Sequence, residues 1–381
     1  MWAFFTIFFT LYAALNYYIY IRGWQALAVH PHARVFYLIL FLIFSLSYLI
    51  AKIFTKYIPA FLYDIILWVG AMWFALMAYF FIAVILIDLI RLFNWQLNFF
   101  PSFIKENYLQ AKFITGIIVT VLVVIVVFAG YLNTRNLKIK TLELNLPRGS
   151  STLTGLNAVM VSDIHLSPIN NGPFLKKIIN KINEFDPDIV LIAGDLFDDS
   201  AEILRQRHIG KSLVDIKSKN GIYAITGNHE YINGVDSAVA FIESYGIKML
   251  RDTSAFINNS FYLVGREDRA KKQFSGKPRK SLEEIMESVD KNYPVILMDH
   301  TPFGLEDAEE NNVALQLSGH THHGQMFPAN LITKMVYEVS WGYLKKGKTQ
   351  YYVSSGAGTW GPPVRTGSSS EIVHLKIRFV D

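Results

Sequence analysis

The stretch Ile189-Val190-Leu191-Ile192-Ala193-Gly194-Asp195 shows the pattern that decides the fold of the second part of the chain. A short apolar run is followed by polar residues, as expected for a buried strand that ends in a loop. Five other short apolar runs end in the same way: Ala158–Val161, Ile222–Thr226, Val295–Met298, Leu315–Leu317 and Tyr351–Val353. Helical patterns lie between several of them, including Pro173–Phe185 and Ser281–Val289. Strands that alternate with helices predict a layered α/β domain.

Side chains that can bind metal ions follow five of these strands. The five groups, in chain order, are Asp163 and His165, then Asp195 and Asp198, then Asn228 and His229, then His300, and finally His320 and His322. Each fragment alone is a weak signal, because Gly-Asp and Gly-Asn pairs are common in ordinary turns. In open α/β sheets, however, sites are built in the loops beyond the carboxyl ends of the strands. The convergence of five such groups therefore predicts one metal site.

The ligand types restrict the metal chemistry. The chain contains no cysteine, which excludes zinc-thiolate sites, iron–sulfur clusters, disulfides and cysteine nucleophiles. Carboxylate, amide oxygen and imidazole suit Mn²⁺, Fe²⁺ or Zn²⁺. Six or seven ligands from these groups are too many for one tetrahedral zinc ion, which takes four. Two divalent ions are therefore expected, bridged by one carboxylate and roughly 3.5–4 Å apart, as in two-metal phosphatases and nucleases.

The first third of the chain has the composition of a membrane domain. Hydrophobic residues make up 52% of the whole chain and charged residues only 18%. Four stretches lack Asp, Glu, Lys and Arg, and each is long enough, with its flanks, to cross a bilayer, which takes roughly 20 residues: Met1–Ile21, Val35–Ala51, Ile65–Ile87 and Phe113–Leu132. We therefore predict a membrane domain of four transmembrane helices over residues 1–132. The alternating stretch Leu137–Leu144 reads as a half-buried strand and opens a second domain over residues 133–381.

The distribution of charge excludes some functions and leaves the orientation open. The formal net charge is +5, but the excess of basic residues belongs mainly to the membrane part, so no nucleic-acid partner is expected. No ionisable residue lies inside a predicted span, which argues for an anchor or a lipid-facing platform and against an ion-coupled transporter. Four spans place the N-terminus and the second domain on the same side of a cell (inner) membrane. Basic residues flank both sides equally, so the side itself stays undetermined.

The order Asp-x-His, Gly-Asp-x-x-Asp, Gly-Asn-His-Glu, His and Gly-His-x-His resembles the calcineurin-like metallophosphoesterase superfamily, and in particular its bacterial membrane-anchored branch. The resemblance covers about Leu156 to Phe379. It implies a four-layer domain with two facing sheets flanked by helices. It also implies site roles: one ion on Asp163, His165 and His322, a second ion on Asn228, His300 and His320, Asp195 as the bridge, and His229 as the catalytic imidazole paired with Asp198.

The residues also carry expectations about the substrate. Phosphoprotein phosphatases of this superfamily have an arginine directly after the second aspartate of the second block, where this chain has Asp199, which argues against a phosphoprotein substrate. Arg365, in a loop rich in proline and glycine, and His323 are candidate substrate contacts. A surface arginine in a turn and an exposed histidine are the plain alternatives.

The sequence thus predicts a membrane-anchored, binuclear metal-dependent hydrolase of phosphate esters or phosphoanhydrides. The expected partners are membrane lipids and a phosphorylated small molecule or lipid, with a lipid-linked or headgroup phosphate favoured. Alternatives within the enzyme class are a pyrophosphatase of a nucleotide-activated lipid-A precursor and a phosphodiesterase of soluble substrates. An alternative outside it is a degenerate module that senses a phospholipid without turnover. The oligomeric state is not set by the sequence.

Overall fold

The computed structural model describes the backbone of residues 2–381 and the side chains from residue 6 onward. The chain forms two compact units, residues 1–131 with 361–364, and residues 132–360 with 365–381. The first is helical, and the second contains all the strands found in the described part of the chain. Each unit is treated below by itself.

The helices that begin in the first unit are long and apolar. Their bounds are α1 (Trp2–Ala26), α2 (Pro31–Ile53), α3 (Ala60–Leu97), the short α4 (Ser102–Glu106) and α5 (Tyr108–Arg135). Among the described residues, α2, α3 and α5 have the length and hydropathy of membrane spans. The first predicted span, Met1–Ile21, begins outside those residues and otherwise lies within α1, which is 25 residues long. Three long apolar helices indicate a multi-pass membrane protein.

Helix α3 continues past the end that the sequence pattern predicts. The expected boundary was Ile87, because Asp88 and Arg91 follow it, but the helix runs on to Leu97. Asp88 accepts ion pairs from Arg22 at 2.6 Å and from Arg91 at 3.0 Å. These pairs neutralise the carboxylate, so a charged residue does not have to end the helix there.

The second unit contains twelve strands: β1 (Lys138–Pro147), β2 (Gly155–Val161), β3 (Ile189–Ile192), β4 (Ile222–Ala224), β5 (Lys248–Met249), β6 (Thr253–Ile257), β7 (Phe261–Gly265), β8 (Val295–Met298), β9 (Leu315–Ser318), β10 (Gly342–Lys346), β11 (Thr349–Val353) and β12 (Glu371–Val380). They form two mixed sheets of six strands, in the orders β1-β12-β2-β3-β4-β5 and β10-β11-β9-β8-β7-β6. Strands β2 to β5 are parallel, and so are β7, β8, β9 and β11. All six predicted apolar runs are confirmed as strands.

Eight helices accompany the strands: α6 (Gly172–Asn183), α7 (Ala201–Gln206), α8 (Asn228–Ile232), α9 (Val235–Glu243), α10 (Lys271–Ser275), α11 (Leu282–Met286), α12 (Glu306–Glu310) and α13 (Ala329–Val336). Short 3₁₀ turns occupy Leu27–Val29, Lys211–Asp215 and His322–Gly324. The helix predicted over Ser281–Val289 is present only as the five-residue α11.

The layers follow from the two-residue periodicity of the strands. On β2, Ala158 and Met160 join the apolar core between the two sheets, whereas Val159 and Val161 pack with α6 on the outer face. On the second sheet, residues of β7 and β8 pack outward against α11 and α12 in the same way. Strands that bury both faces read as continuous apolar runs, as these do. Five of the parallel strands, β2, β3, β4, β8 and β9, end in the loops that hold the predicted metal-site residues.

Candidate metal centre

The site lies at the carboxyl ends of five strands. Asp163 and His165 follow β2, Asp195 and Asp198 follow β3, Asn228 and His229 open α8 after β4, His300 follows β8, and His320 and His322 follow β9. The structure brings all nine predicted residues together. Three groups of acidic and imidazole side chains have their potential ligand atoms within 4.8 Å of one another: Asp163 with His165 and His322, His165 with Asp195 and His229, and Asp195 with His300 and His320.

Two glycines allow the loops to approach this closely. A Cβ on Gly227 would overlap Oδ1 of Asp195, and a Cβ on Gly319 would overlap Oδ2 of Asp163. Any larger residue at either position would push a carboxylate out of the cluster. Only glycine fits at these crossings, which gives the Gly-Asn and Gly-His pairs of the sequence a packing reason.

The backbone at the site is strained. Six non-glycine site residues have φ between +47° and +69°: Asp163, His165, Asp195, His320, His322 and His323. Asp and His enter this left-handed region more readily than most residues, but each such position still carries a penalty, of order 1–3 kcal/mol for sparsely populated conformations. A concentration of strained residues at strand ends is typical of functional sites, where the fold holds side chains in a fixed geometry.

The first group forms one half of the cluster. Nε2 of His165 lies 3.0 Å from Nε2 of His322, and the latter atom is 3.4 Å from Oδ1 of Asp163. Burial lowers the pKa of His322 well below its usual range, and the charges of His165 and Arg365 add to this effect. The ring is therefore uncharged, which is the form that binds a metal ion.

The group of Asp195, His300 and His320 forms the other half, and its Asp195 also faces His165 of the first group. Oδ2 of Asp195 lies 3.1 Å from Nε2 of His300 and 3.7 Å from Nε2 of His165. Oδ1 of Asn228 is 2.9 Å from Nδ1 of His320, which places the amide oxygen at the same end. Burial raises the pKa of Asp195, but the facing imidazoles of His300, His229 and His165 outweigh it, so the net shift is well downward. An ionised Asp195 between two imidazole groups is placed as a bridging ligand would be.

Two observations fit metal ions. Nδ1 of His300 is 2.7 Å from the carbonyl of Ala193, the arrangement that fixes a metal-binding imidazole, while its Nε2 is buried and faces Oδ2 of Asp195 at 3.1 Å. The carboxylates of Asp163, Asp195 and Glu230 are buried, and none of them forms an ion pair with a lysine or arginine in the described part of the chain. Buried carboxylates that face imidazoles, with no lysine or arginine paired to them, are an environment that a bound divalent ion would neutralise.

His229 and Asp198 form a pair beside the cluster. Nδ1 of His229 lies 2.7 Å from Oδ1 of Asp198, and the His229 backbone N–H donates to Oδ1 of Asp195 at 2.9 Å. Burial lowers the pKa of His229, but the hydrogen bond to Asp198 and the charge of Asp195 raise it to about 9. Burial raises the pKa of Asp198, but the facing imidazoles of His165 and His229 outweigh it and lower the pKa to about 2. The pair is therefore an imidazolium against a carboxylate at neutral pH.

Arg365 lies behind His322. Its side chain is fully buried, and the guanidinium donates to the carbonyls of Ser355 and Gly358 at 2.7 and 2.6 Å and approaches Nδ1 of His322 to 3.1 Å. Burial lowers its pKa to about 10, which still leaves it charged at neutral pH. A side chain without exposed surface does not contact substrate in this conformation, so the substrate role of Arg365 stays a prediction, while its contacts here are with His322 and with carbonyls of its own segment. The other candidate contact, His323, packs against Trp341, and its Nδ1 lies 3.0 Å from Oγ of Ser340.

Glu230 is a site residue that the sequence reasoning quoted without giving it a role. Its buried carboxylate accepts four backbone hydrogen bonds. Oε2 takes the N–H groups of Asp195 and Gly227 at 3.1 and 2.7 Å, and Oε1 takes those of Leu196 and Phe197 at 2.9 and 3.2 Å. It thereby ties the loop after β3 to the loop after β4. The sequence signal that could have indicated this role was the position of Glu230 directly after His229, at the start of α8.

The comparisons with known proteins agree with this geometry. The calcineurin-like phosphoesterase family matches residues 156–324. An uncharacterized metallophosphoesterase of Campylobacter jejuni is 33% identical over 68% of this chain and 68% of its own length. A Danio rerio transmembrane protein with a metallophosphoesterase domain is 30% identical over 63% of this chain and 57% of its own.

A third relative is more distant but is matched over most of its length. The UDP-2,3-diacylglucosamine pyrophosphatase LpxG of Chlamydia trachomatis is 25% identical over 66% of this chain and 93% of its own length. The chain spans about 60% of the length of several curated relatives that it matches, among them the Danio rerio protein. The His/Asp cluster and these matches make the conclusion plain: the chain belongs to the calcineurin-like metallophosphoesterases.

Proposed function

We propose that this protein is a membrane-anchored hydrolase that uses two divalent ions, Mn²⁺, Fe²⁺ or Zn²⁺, to cleave a phosphate ester or phosphoanhydride of a lipid-linked substrate. The observation that carries the proposal is the shared Asp195, which lies between the group of Asp163, His165 and His322 and the group of His300 and His320. We assign the first group, with Asp195, to one ion. We assign the second group, with Asp195 and Asn228, to the other ion.

The chain's own side chains have distinct roles in this proposal. Ions bound there would supply Lewis acidity for the phosphoryl oxygens and a nucleophile at neutral pH. Asp198 fixes the ring of His229 and favours its protonated form. His229, whose Nε2 makes no hydrogen bond with a described residue, would donate a proton to the departing oxygen. Arg365 and Glu230 hold ligand-bearing segments in place.

The preference for a lipid substrate rests on α13, which begins seven residues after His322. Four apolar side chains form one exposed face of this helix, at 50–87% exposure: Leu331, Ile332, Met335 and Val336. An exposed apolar patch of this kind marks a surface for a partner or a membrane, and an amphipathic helix suits a lipid interface. Because the chain has three helices that are long and apolar enough to cross a membrane, we take a bilayer as the apolar partner of α13. We therefore place the substrate phosphate at the headgroup level of a cell (inner) membrane.

The rival functions make different predictions. The Chlamydia trachomatis relative supports a nucleotide-linked lipid as the substrate. Such a lipid carries an acyl group that would contact the apolar face of α13. A soluble phosphodiester would leave the apolar face of α13 without a role. A non-catalytic lipid sensor is disfavoured, because all seven predicted ligand side chains are present in the cluster.

The test is an activity panel with full-length protein in detergent and Mn²⁺: a lipid phosphate monoester, a nucleotide-linked lipid and bis-p-nitrophenyl phosphate. We expect the highest kcat/KM on one of the two lipids, complete loss with chelator, and about two metal equivalents per chain. Asp195→Asn should lose metal and activity, whereas the matched surface change Asp186→Asn, at an exposed carboxylate, should not. Equal kcat/KM on the lipids and the soluble diester would refute the lipid assignment, and full activity with one equivalent would refute the two-ion assignment.

A further inference from the structure

The first unit contains a cavity of about 460 Å³ that the proposed chemistry does not use. Its walls come from α1, α2, α3 and the N-terminal half of α5. Most of the lining is apolar, with Phe41, Phe44, Trp73 and Phe80 on one side and Val119 on the side of α5. The volume lies within the 300–1,000 Å³ that is usual for small-molecule sites.

The apolar part of this cavity calls for an apolar occupant. Helix association in a bilayer depends on van der Waals packing, because lipid tails are as apolar as the helix side chains and the hydrophobic effect does not drive the helices together. An unfilled space of this size would leave its lining without those contacts. Water is a poor filler, because buried water needs two to four polar partners. A hydrocarbon chain would provide these van der Waals contacts and needs no polar partner.

One end of the cavity is positively charged. Arg22, Arg91 and Lys112 line it together with a single acid, Asp88, which pairs with Arg22 at 2.6 Å and with Arg91 at 3.0 Å. Nε of Arg91 also donates to Tyr108 at 3.0 Å, which connects α3 to the start of α5. Three cations against one carboxylate leave a net charge of +2.

Two of these basic side chains, Lys112 and Arg22, are not fully paired with groups that the structure describes. Lys112 lies 5.2 Å from the centre of the Tyr108 ring and forms no ion pair with any carboxylate that the structure describes. Nε of Arg22 is buried and has no hydrogen-bond partner among the same residues. A cationic end with free donors, joined to an apolar cavity, is complementary to an amphiphile with an anionic head.

We propose that this cavity binds one anionic phospholipid, with an acyl chain between α5 and the helices α1 to α3 and the phosphate against Arg22, Arg91 and Lys112. This site is separate from the metal cluster and does not depend on the proposed substrate. The lipid acts as a bound structural partner that completes the packing of α5.

Native mass spectrometry of the full chain tests the charge requirement. Protein in detergent is titrated with phosphatidylglycerol or phosphatidylcholine, and the retained lipids are counted. We expect one phosphatidylglycerol per chain at concentrations where phosphatidylcholine is not retained. Lys112→Gln should weaken phosphatidylglycerol binding about fivefold, the effect of one charge near a headgroup. The control Lys105→Gln removes an exposed lysine outside the cavity and should change nothing. Equal retention of both lipids, or equal effects of the two lysine changes, would overturn the proposal.

A pair of volume changes on α5 tests the cavity itself. Val119→Trp places a large side chain in the space, whereas Ile118→Trp alters the adjacent residue, which is exposed and outside the lining. The first variant should lose the retained phosphatidylglycerol and the second should keep it. Retention by both would show that the lipid lies elsewhere on the helices. If Val119→Trp fails to fold, the lysine pair decides alone, because neither lysine change alters the packing.

Discussion

Replacement of Glu230 by glutamine should lower the free energy of unfolding of the catalytic unit without removing any predicted metal ligand. The carboxylate accepts four buried backbone N–H groups, two on each oxygen. Glutamine keeps one acceptor oxygen, so either orientation of its amide leaves two of the four donors facing an NH₂ group. Each buried donor left unsatisfied costs about 1–3 kcal/mol, which gives a loss of about 2–6 kcal/mol.

An opposing effect reduces this value. Burial and the nearby charge of Asp195 both raise the pKa of Glu230, so loss of its charge relieves some repulsion. The four hydrogen bonds should still dominate, because unsatisfied N–H groups at two loops have no water to replace the lost acceptor. We therefore expect a net loss toward the lower half of the range.

The measurement is thermal unfolding of the full chain with chelator present, which separates this effect from metal binding. For a domain of 150–250 residues, 1 kcal/mol shifts Tm by about 2–4 °C, so a loss of about 2–4 kcal/mol means that Glu230→Gln should melt roughly 4–16 °C below the wild type. The matched control is Glu184→Gln, at an exposed carboxylate that pairs with Lys181, which should change stability by less than about 1 kcal/mol. A Glu230→Gln protein that melts with the control would refute the role of the carboxylate as the link between the two loops.

Three further predictions concern the site and the topology. His229→Ala should reduce kcat by about 10²–10⁴ on poor leaving groups and less on nitrophenolates while both ions stay bound; loss of a metal equivalent would make His229 a ligand instead. Arg365→Lys leaves fewer N–H donors for the surrounding carbonyls, so it should weaken metal binding about 10–100-fold. Metal titration of the apo protein measures this affinity, and an unchanged affinity would contradict the positioning of His322 by the guanidinium. With four spans, reporters at the N-terminus and after Asp381 should lie in the same compartment and one within residues 98–107 in the other, so opposite signals at the two ends would mean an odd number of spans.

The strands and the site could be predicted because both follow from local patterns. The β3 run buries both faces, so it reads as a continuous apolar segment, and Asp195 follows it after one glycine. The same reasoning held for the other four strand ends, whose side chains the structure brings within a few ångströms. The local patterns therefore predicted which loops lie together at the metal site.

The roles that depend on long-range packing could not be predicted in this way. Arg365 follows a proline-rich turn, which indicates an exposed loop, yet the segment folds back so that its guanidinium binds carbonyls of the same segment behind His322. The end of α3 was missed because the ion pair between Asp88 and Arg22 joins two helices 66 residues apart in sequence. The left-handed backbone of the ligands was also invisible, since it results from loops that are held together by groups such as Glu230.

The position of β12 in the first sheet has a consequence for biosynthesis. β12 lies between β1 and β2, parallel to the first and antiparallel to the second, so β1 has no partner in the sheet and β2 has only β3 until residues 371–380 are made. During translation, β1 leaves the ribosome more than 220 residues before β12. The spans of α2, α3 and α5 emerge earlier still, so they can enter the bilayer while the sheet is open. Until β12 is made, the nascent catalytic unit keeps one edge of β1 and one edge of β2 unpaired, and both edges are open to incorrect pairing with other chains.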